Sequence, residues 1–193
     1  MAYNLTGLTV INGTAAAETI SGSNADEAIY GNGGADTLSG GRGKDILFGG
    51  SSGVTFAYSA DAVWTGVTAT NAGDPSAAGP GTAFPLNGYS QSQDVFVGTG
   101  TNNTLVMGDG NRALFLDDPI SPNVDGVRLV NIQTIVGGNG GQIIDLTSST
   151  VSYGDVTILG GNGADVLMSN QGNDLIDGGN GNDYVWGGSH RRS

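Results

Sequence analysis

The chain of 193 residues contains no cysteine, which removes disulfides and thiolate chemistry and leaves the redox compartment unread. Its single histidine, His190, is too little imidazole for zinc, copper or non-haem iron centres, so hard oxygen donors and hard cations remain. Six basic residues face eighteen acidic ones; the net charge of -12 argues against nucleic acid and anionic membrane surfaces as partners. No stretch approaches the ~18 apolar residues of a membrane span. The opening MAYNLTGLTVING lacks the basic and apolar regions of a cleaved secretory signal. An H-E-x-x-H zinc helix, a P-loop and a G-x-G-x-x-G turn are all missing, so catalysis is not expected. Aromatics make up only 7%, whereas glycine supplies 36 residues, a balance that predicts narrow stacked coils with a thin core.

What is present repeats. Residues 31–39 (GNGGADTLS) and 40–48 (GGRGKDILF) align as G-(G/N)-x-G-x-D-x-(aliphatic)-x, with Asp36 and Asp45 in one slot and Leu38 and Leu47 in another. The template returns at 160–168 (GGNGADVLM), 169–177 (SNQGNDLID) and 178–186 (GGNGNDYVW). There Asp165, Asp174 and Asp183 fill the acidic slot, and Leu167, Ile176 and Val185 the apolar one. Closely spaced glycines reach backbone conformations closed to other residues, so the first six residues of a unit curl with carbonyls turned inward. The last three form a short extended run whose aliphatic side chain faces the interior. Two units make one flattened coil, and stacking brings each Asp to the loop of the unit two positions along. A cation there meets carboxylates and backbone carbonyls, the many-oxygen environment that suits calcium. The pairing places Asp36 at the loop around Glu18, Asp45 at Asp26 and Glu27, and Asp165 with Asp183 as the best single site. Asp174 has two candidate partners: the loop at 187–190 or, backwards, Asp155. Without metal the facing carboxylates repel, so folding should need the ion.

This spacing resembles the nonapeptide of RTX (repeats-in-toxin, haemolysin-type calcium-binding) proteins, a repeat associated with calcium-binding parallel β-helices. The resemblance implies an all-β chain, a parallel β-roll (right-handed β-helix) built from GGxGxDxUx repeats, with several Ca2+ ions and an irregular insertion. It implies ligation by Gly31, Gly33, Ala35 and Asp36, and by Gly40, Arg42, Lys44 and Asp45. In the second block it implies Gly160, Asn162, Ala164 and Asp165, then Gln171, Asn173 and Asp174, then Gly178, Asn180, Asn182 and Asp183. It further implies a secreted bacterial protein, exported unfolded by type I secretion and folded by extracellular calcium. Family members carry the export signal in a tail beyond the repeats; only GGSHRRS follows here, so a piece of a longer protein and another export route both stay open.

Three parts follow from the frame: 1–57, a cap strand and first repeat block; 58–97, an irregular insertion; and 98–193, degenerate coils and the second block. Units 13–21 and 22–30 carry Glu18 and Glu27 in the acidic slot with few glycines, and should bind metal less well. Unit 49–57 (GGSSGVTFA) has Val54 in that slot, so the metal ladder should fade. Its G-x-S-x-G lacks the helix and histidine of a nucleophile elbow. The insertion, with three of the five prolines, reads as a surface loop between strands near 63–67 and 94–97, as plain insertion in preference to a binding loop. Asn103, Arg112 and Gln142 then occupy the acidic slot; Arg112 is either a built-in cation substitute paired with a carboxylate or an ordinary solvated side chain. Asp117, Asp118 and Asp125 read as a solvated turn rather than a further calcium site. Tyr184 and Trp186 lie at a coil end without an evident cap.

The leading functional reading is a non-catalytic, calcium-folded extracellular structural or interaction module, with self-association or a protein partner through the open coil end or the insertion. The alternative is the export and folding module of a secreted RTX protease or lipase. Simple calcium buffering is a third.

Overall fold

The computed structural model describes residues 3–51, 53–59, 62–63, 68–70, 83–91, 94–115, 128–148 and 153–188. Short strands of about three residues follow each glycine-rich loop, because only the x-aliphatic-x end of a unit is free of turn formers. The first six, β1 (Thr9–Asn12), β2 (Thr19–Ser21), β3 (Glu27–Asn32), β4 (Thr37–Ser39), β5 (Ile46–Gly50) and β6 (Thr55–Ala57), alternate between two sheets. Next come β7 (Ala62–Val63), β8 (Thr68–Thr70), β9 (Ala83–Pro85) and β10 (Ser90–Gln91), which break the alternation. The chain then visits three sheets in turn, twice, through β11 (Val95–Val97), β12 (Thr104–Val106), β13 (Arg112–Phe115), β14 (Leu129–Val130), β15 (Thr134–Val136) and β16 (Gln142–Asp145). The last four, β17 (Thr157–Leu159), β18 (Val166–Met168), β19 (Leu175–Asp177) and β20 (Tyr184–Trp186), return to two sheets.

The leading sheet has the order β1-β3-β5-β11-β14, the spine β2-β4-β6-β12-β15-β17-β19, and the trailing sheet β7-β10-β13-β16-β18-β20. Neighbours in all three run parallel except β7 and β10; β8 and β9 form a separate antiparallel pair. The architecture is all-β, with parallel sheets built by successive coils. No helix among the described residues is long and apolar enough to cross a membrane.

Register sets the interior. In the spine Ile20, Leu38, Phe56, Leu105, Ile135, Ile158 and Ile176 are consecutive partners, and in the leading sheet Ile11, Ile29, Leu47, Phe96 and Leu129. In the trailing sheet Leu114, Ile144, Leu167 and Val185 line up likewise. These columns meet in one core, each full burial worth about 1.5–3 kcal/mol. The expectation of a thin core throughout is corrected at mid-chain, where the coils have three sides instead of two. The added width holds Phe56, Tyr58, Phe96 and Met107; Phe56 meets Phe96 edge-on at 5.7 Å, and the Tyr58 hydroxyl donates to the Ala113 carbonyl at 2.5 Å. Composition could not reveal this, because it counts the aromatics without saying that Phe56, Tyr58 and Phe96 meet in one place.

A second cluster lies on the outer face of the trailing sheet. Ala113, Phe115, Ile143 and Met168 alternate with the inward column and therefore point the other way, where the fully buried Leu86 covers them with Tyr89 at its side. Part of segment 83–91 is thus packed onto the coils. On the leading sheet, Tyr30 and Phe48 stack at 4.6 Å and Tyr3 meets Phe48 edge-on at 5.6 Å.

Candidate metal centre

The sixth residue of each unit stands at the corner just before a strand. Its backbone N–H faces the neighbouring coil, and in parallel stacking the acceptor comes from there. In the spine, Glu18 N–H donates to Oδ1 of Asp36 at 2.9 Å, Val54 to Oδ1 of Asn103 at 3.2 Å, Asn103 to Oε1 of Gln133 at 2.8 Å, and Val156 to Oδ1 of Asp174 at 3.0 Å. The leading sheet repeats this with Glu27 onto Asp45 at 2.7 Å and Asp45 onto Asp94 at 3.2 Å. The trailing sheet does so with Gln142 onto Asp165 at 2.7 Å and Asp165 onto Asp183 at 3.0 Å. One rule covers them: the slot side chain of a coil accepts from the slot N–H of the coil before it.

A carboxylate has a second oxygen, and that rule leaves it over. Oδ2 of Asp36, Asp45, Asp165 and Asp174 is buried with no hydrogen-bond partner. An ionised acceptor in that position costs several kcal/mol unless a proton or cation meets it. At Asp36, Asp45, Asp165 and also Asp183, Oδ2 lies against the first glycine of its own unit, whereas the unit of Asp174 begins with Ser169. A Cβ at Gly31 would stand 2.6 Å from Oδ2 of Asp36, one at Gly160 2.5 Å from Oδ2 of Asp165, and one at Gly178 2.5 Å from Oδ2 of Asp183. A Cβ at Gly40 would collide with Oδ2 of Asp45. Gly43 and Gly163, with φ of 123° and 133°, hold the loop in the left-handed region that side chains disfavour. An unpaired buried oxygen in a glycine-backed cradle edged by loop carbonyls is a donor set that fits a hard divalent cation.

Electrostatics point the same way. Burial, then the charge of Asp94, pushes the Asp45 carboxyl up to about 8, against the lowering effect of the Glu27 N–H. Burial raises Asp165, the Gln142 N–H lowers it, and the Asp183 charge raises it. Like charges thus share the Asp45–Asp94 and Asp165–Asp183 corners. Among the described residues no three acidic or histidine side chains converge. Paired carboxylates and carbonyls are the donors on offer.

Residues 21–52 and 153–189 match the RTX calcium-binding nonapeptide repeat, in four copies. The two blocks are RTX repeats. No curated protein and no solved structure matches the chain. The matched stretches hold the corners with orphaned oxygens at Asp36, Asp45, Asp165 and Asp174, and the RTX repeat is a calcium-binding, non-catalytic structural unit.

Within the RTX blocks, Asp36, Asp45 and Asp165 are buried, while Asp174 and Asp183 are half-buried. Gly31, Gly40 and Gly160 are buried behind them, and Gly33 and Gly178 half-buried. Ala35, Arg42, Lys44, Asn162, Ala164, Asn173, Asn180 and Asn182 are exposed and Gln171 is half-buried. The carbonyls of Asn162 and Asn180 already accept from Gly140 and Gly163 at 2.8 Å, each keeping a second lone pair. The structure brings together Asp36 with Glu18, Asp45 with Glu27, and Asp165 with Asp183. Asp26 accepts instead from the N–H of Lys44 at 3.0 Å. On the backward side Asp174 accepts from the N–H of Val156 at 3.0 Å and Asp155 from the N–H of Asn173 at 2.9 Å, while residues 189–190 of the forward loop lie outside the described residues. Asp117, Asp118, Asp125 and His190 lie outside the described residues.

Two residues escaped the sequence reading. Asp94, fully buried, occupies the acidic slot before β11 and stacks on Asp45 across the insertion; the pattern D-V-F-V was its signal, hidden by the gap in the nine-residue count. Arg128, also buried, donates from Nε to the Asp94 carbonyl at 3.2 Å. Arg112 has no carboxylate partner among the described residues; half-buried, it donates to the Asp109 carbonyl at 2.9 Å and the Ser90 hydroxyl at 3.3 Å. Gly53 leads into β6 and not a helix, so the G-x-S-x-G match lacks the helix of a nucleophile elbow.

Proposed function

We propose that the chain is a right-handed parallel β-roll whose RTX corners bind several calcium ions, and that it serves as a calcium-folded extracellular structural or interaction module. The observation that carries this is the division of labour in the carboxylates of Asp36, Asp45 and Asp165. One oxygen closes a backbone hydrogen bond to the previous coil, and the other waits, buried and unpaired, in a cradle that only glycine leaves open. Asp165 with Asp183, Asp36 with Glu18, and Asp45 with Glu27 and Asp94 are the pairs that would hold the ions, with the neighbouring loop carbonyls. Bound calcium would neutralise the mutual repulsion of these groups and so join one coil to the next.

Occupied sites stabilise by mass action, about 2.7 kcal/mol for each at a hundredfold excess over its dissociation constant. Low-affinity calcium modules work where free calcium is millimolar, which favours a location outside the cell. Exposed Leu175, Tyr184 and Val185 on the last coil are the surface we favour for a partner or a second copy.

Circular dichroism and size-exclusion chromatography with calcium, with magnesium, and with chelator test the reading. Calcium should compact the chain and raise its β signal, and magnesium at equal concentration should do so less, since it demands octahedral geometry and keeps its waters. Identical profiles in calcium and chelator would refute it.

A further inference from the structure

The central coils have RTX geometry without RTX aspartates, and amide nitrogens meet the loop carbonyls at their corners; the oxygen left over there, Oε1 of Gln142, is buried and unpaired but carries no charge. Gln142 is fully buried; its Nε2 donates to the carbonyls of Gly140, in its own loop, and Gly110, in the loop one coil earlier, at 3.1 and 3.0 Å. Asn103 is fully buried; its Nδ2 donates to Asn131, one coil later, at 2.8 Å, and to Thr99 in its own loop at 3.4 Å. Asn131 returns the bond, its Nδ2 reaching Gly100 at 2.8 Å and Gly98 at 3.3 Å. Gln133 completes the set by donating to Oδ1 of Asn131 at 2.7 Å.

An amide N–H2 is a two-pronged positive donor without net charge. Set between stacked loops, it satisfies inward carbonyls from both and ties the coils together. It also brings no repulsion, so it asks for no counter-ion.

We infer that the carboxamides of Asn103, Asn131 and Gln142 do for the central coils what calcium does for the flanking RTX blocks, so that β12, β13, β15 and β16 form a calcium-independent nucleus. This rests on the calcium reading of the flanks. The wide aromatic core of Phe56, Phe96 and Met107 lies against the same strands, so the nucleus has apolar burial to stand on. The two ends then respond to calcium as extensions of a folded centre, each by adding coils to a strand edge already in place.

Hydrogen–deuterium exchange on the full chain, in calcium and in chelator, tests this. In chelator, β12, β13, β15 and β16 should keep rates within about tenfold of the calcium-loaded values, while β3 to β5 and β18 speed up about a hundredfold or more. Gln142→Glu keeps the reach and exchanges the donor for an anionic acceptor. It should make β13 and β16 as calcium-sensitive as the flanks and raise the bound calcium by one ion per chain. If centre and flanks lose protection together in chelator and regain it with calcium, the calcium reading survives and this inference falls. Slow exchange everywhere in chelator overturns both. Unchanged protection of β13 and β16 in chelator in Gln142→Glu also overturns the inference; if that variant does not fold, the wild-type exchange pattern decides.

Discussion

Oδ1 of Asp183 accepts a hydrogen bond from the backbone N–H of Asp165 at 3.0 Å, so this carboxylate caps the coil before it and, in the function proposed above, would give its other oxygen to a cation. The two roles separate by mutation. Asp183→Asn keeps an oxygen for the cap and loses the charge; calcium affinity at that corner should fall about tenfold or more while metal-free stability holds or rises. Asp183→Ala loses the cap as well and should cost about 1 kcal/mol further in the absence of metal. Calcium calorimetry with urea denaturation of both variants distinguishes the roles, and equal metal-free stabilities would undo the cap assignment.

Glycine at the first position of the 160–168 unit is a steric requirement. A Cβ at Gly160 would sit 2.5 Å from both Oδ2 of Asp165 and the carbonyl of Gly178, whereas nothing lies within 4 Å of one at Gly187. Gly160→Ala should therefore abolish binding at the Asp165 corner, and Gly187→Ala should leave calcium stoichiometry unchanged. Equal titration curves for the two would contradict the cradle.

Much of this was legible in the chain before any coordinates. The nine-residue spacing predicted the strand positions at Leu38, Leu47, Leu167 and Ile176 and the pairing of Asp165 with Asp183, because a loop that needs glycine at fixed places leaves only three residues for a strand. Three features were not legible. The three-sided middle depends on where the chain crosses between sheets, which β11 and β14 decide after long gaps that destroy the count. Asp94 lost its frame for the same reason. The amides of Asn103 and Gln142 read as lapsed acidic slots, since sequence shows the missing charge and not the carbonyls that a donor meets.

The core should report its own geometry whatever the metal. Leu105, fully buried between Phe56 and Ile135, should lose about 2–5 kcal/mol as Leu105→Ala, in calcium or in chelator. Val185 occupies the same apolar slot on the last coil but is 47% exposed, so Val185→Ala should cost less than about 1 kcal/mol. Urea midpoints in calcium give both values; similar losses would mean the terminal coil is covered in solution.

Acid should partly replace calcium. The Asp45 carboxyl is raised from the ordinary 3.8 to about 8 in the folded chain, so the folded state holds its proton more tightly than the unfolded one. Its stabilising contribution is complete below about 4 and is lost as pH climbs through about 8. Metal-free protein should thus melt at a lower temperature at pH 8 than at pH 5. Saturating calcium should flatten or reverse the trend, because ligation needs the carboxylate ionised. Asp45→Asn should lessen the metal-free slope, and an unaltered slope would place the titration elsewhere.

Anomalous diffraction from crystals grown in millimolar calcium addresses the stacked-corner account most directly. We expect difference peaks between successive loops, about 2.3–2.6 Å from carboxylate oxygens of Asp165 and Asp183 and of Asp36 and Asp45, with none at the Gln142 and Asn103 corners. Ordered corners without peaks, or peaks confined to exposed carboxylates away from the coils, would contradict it.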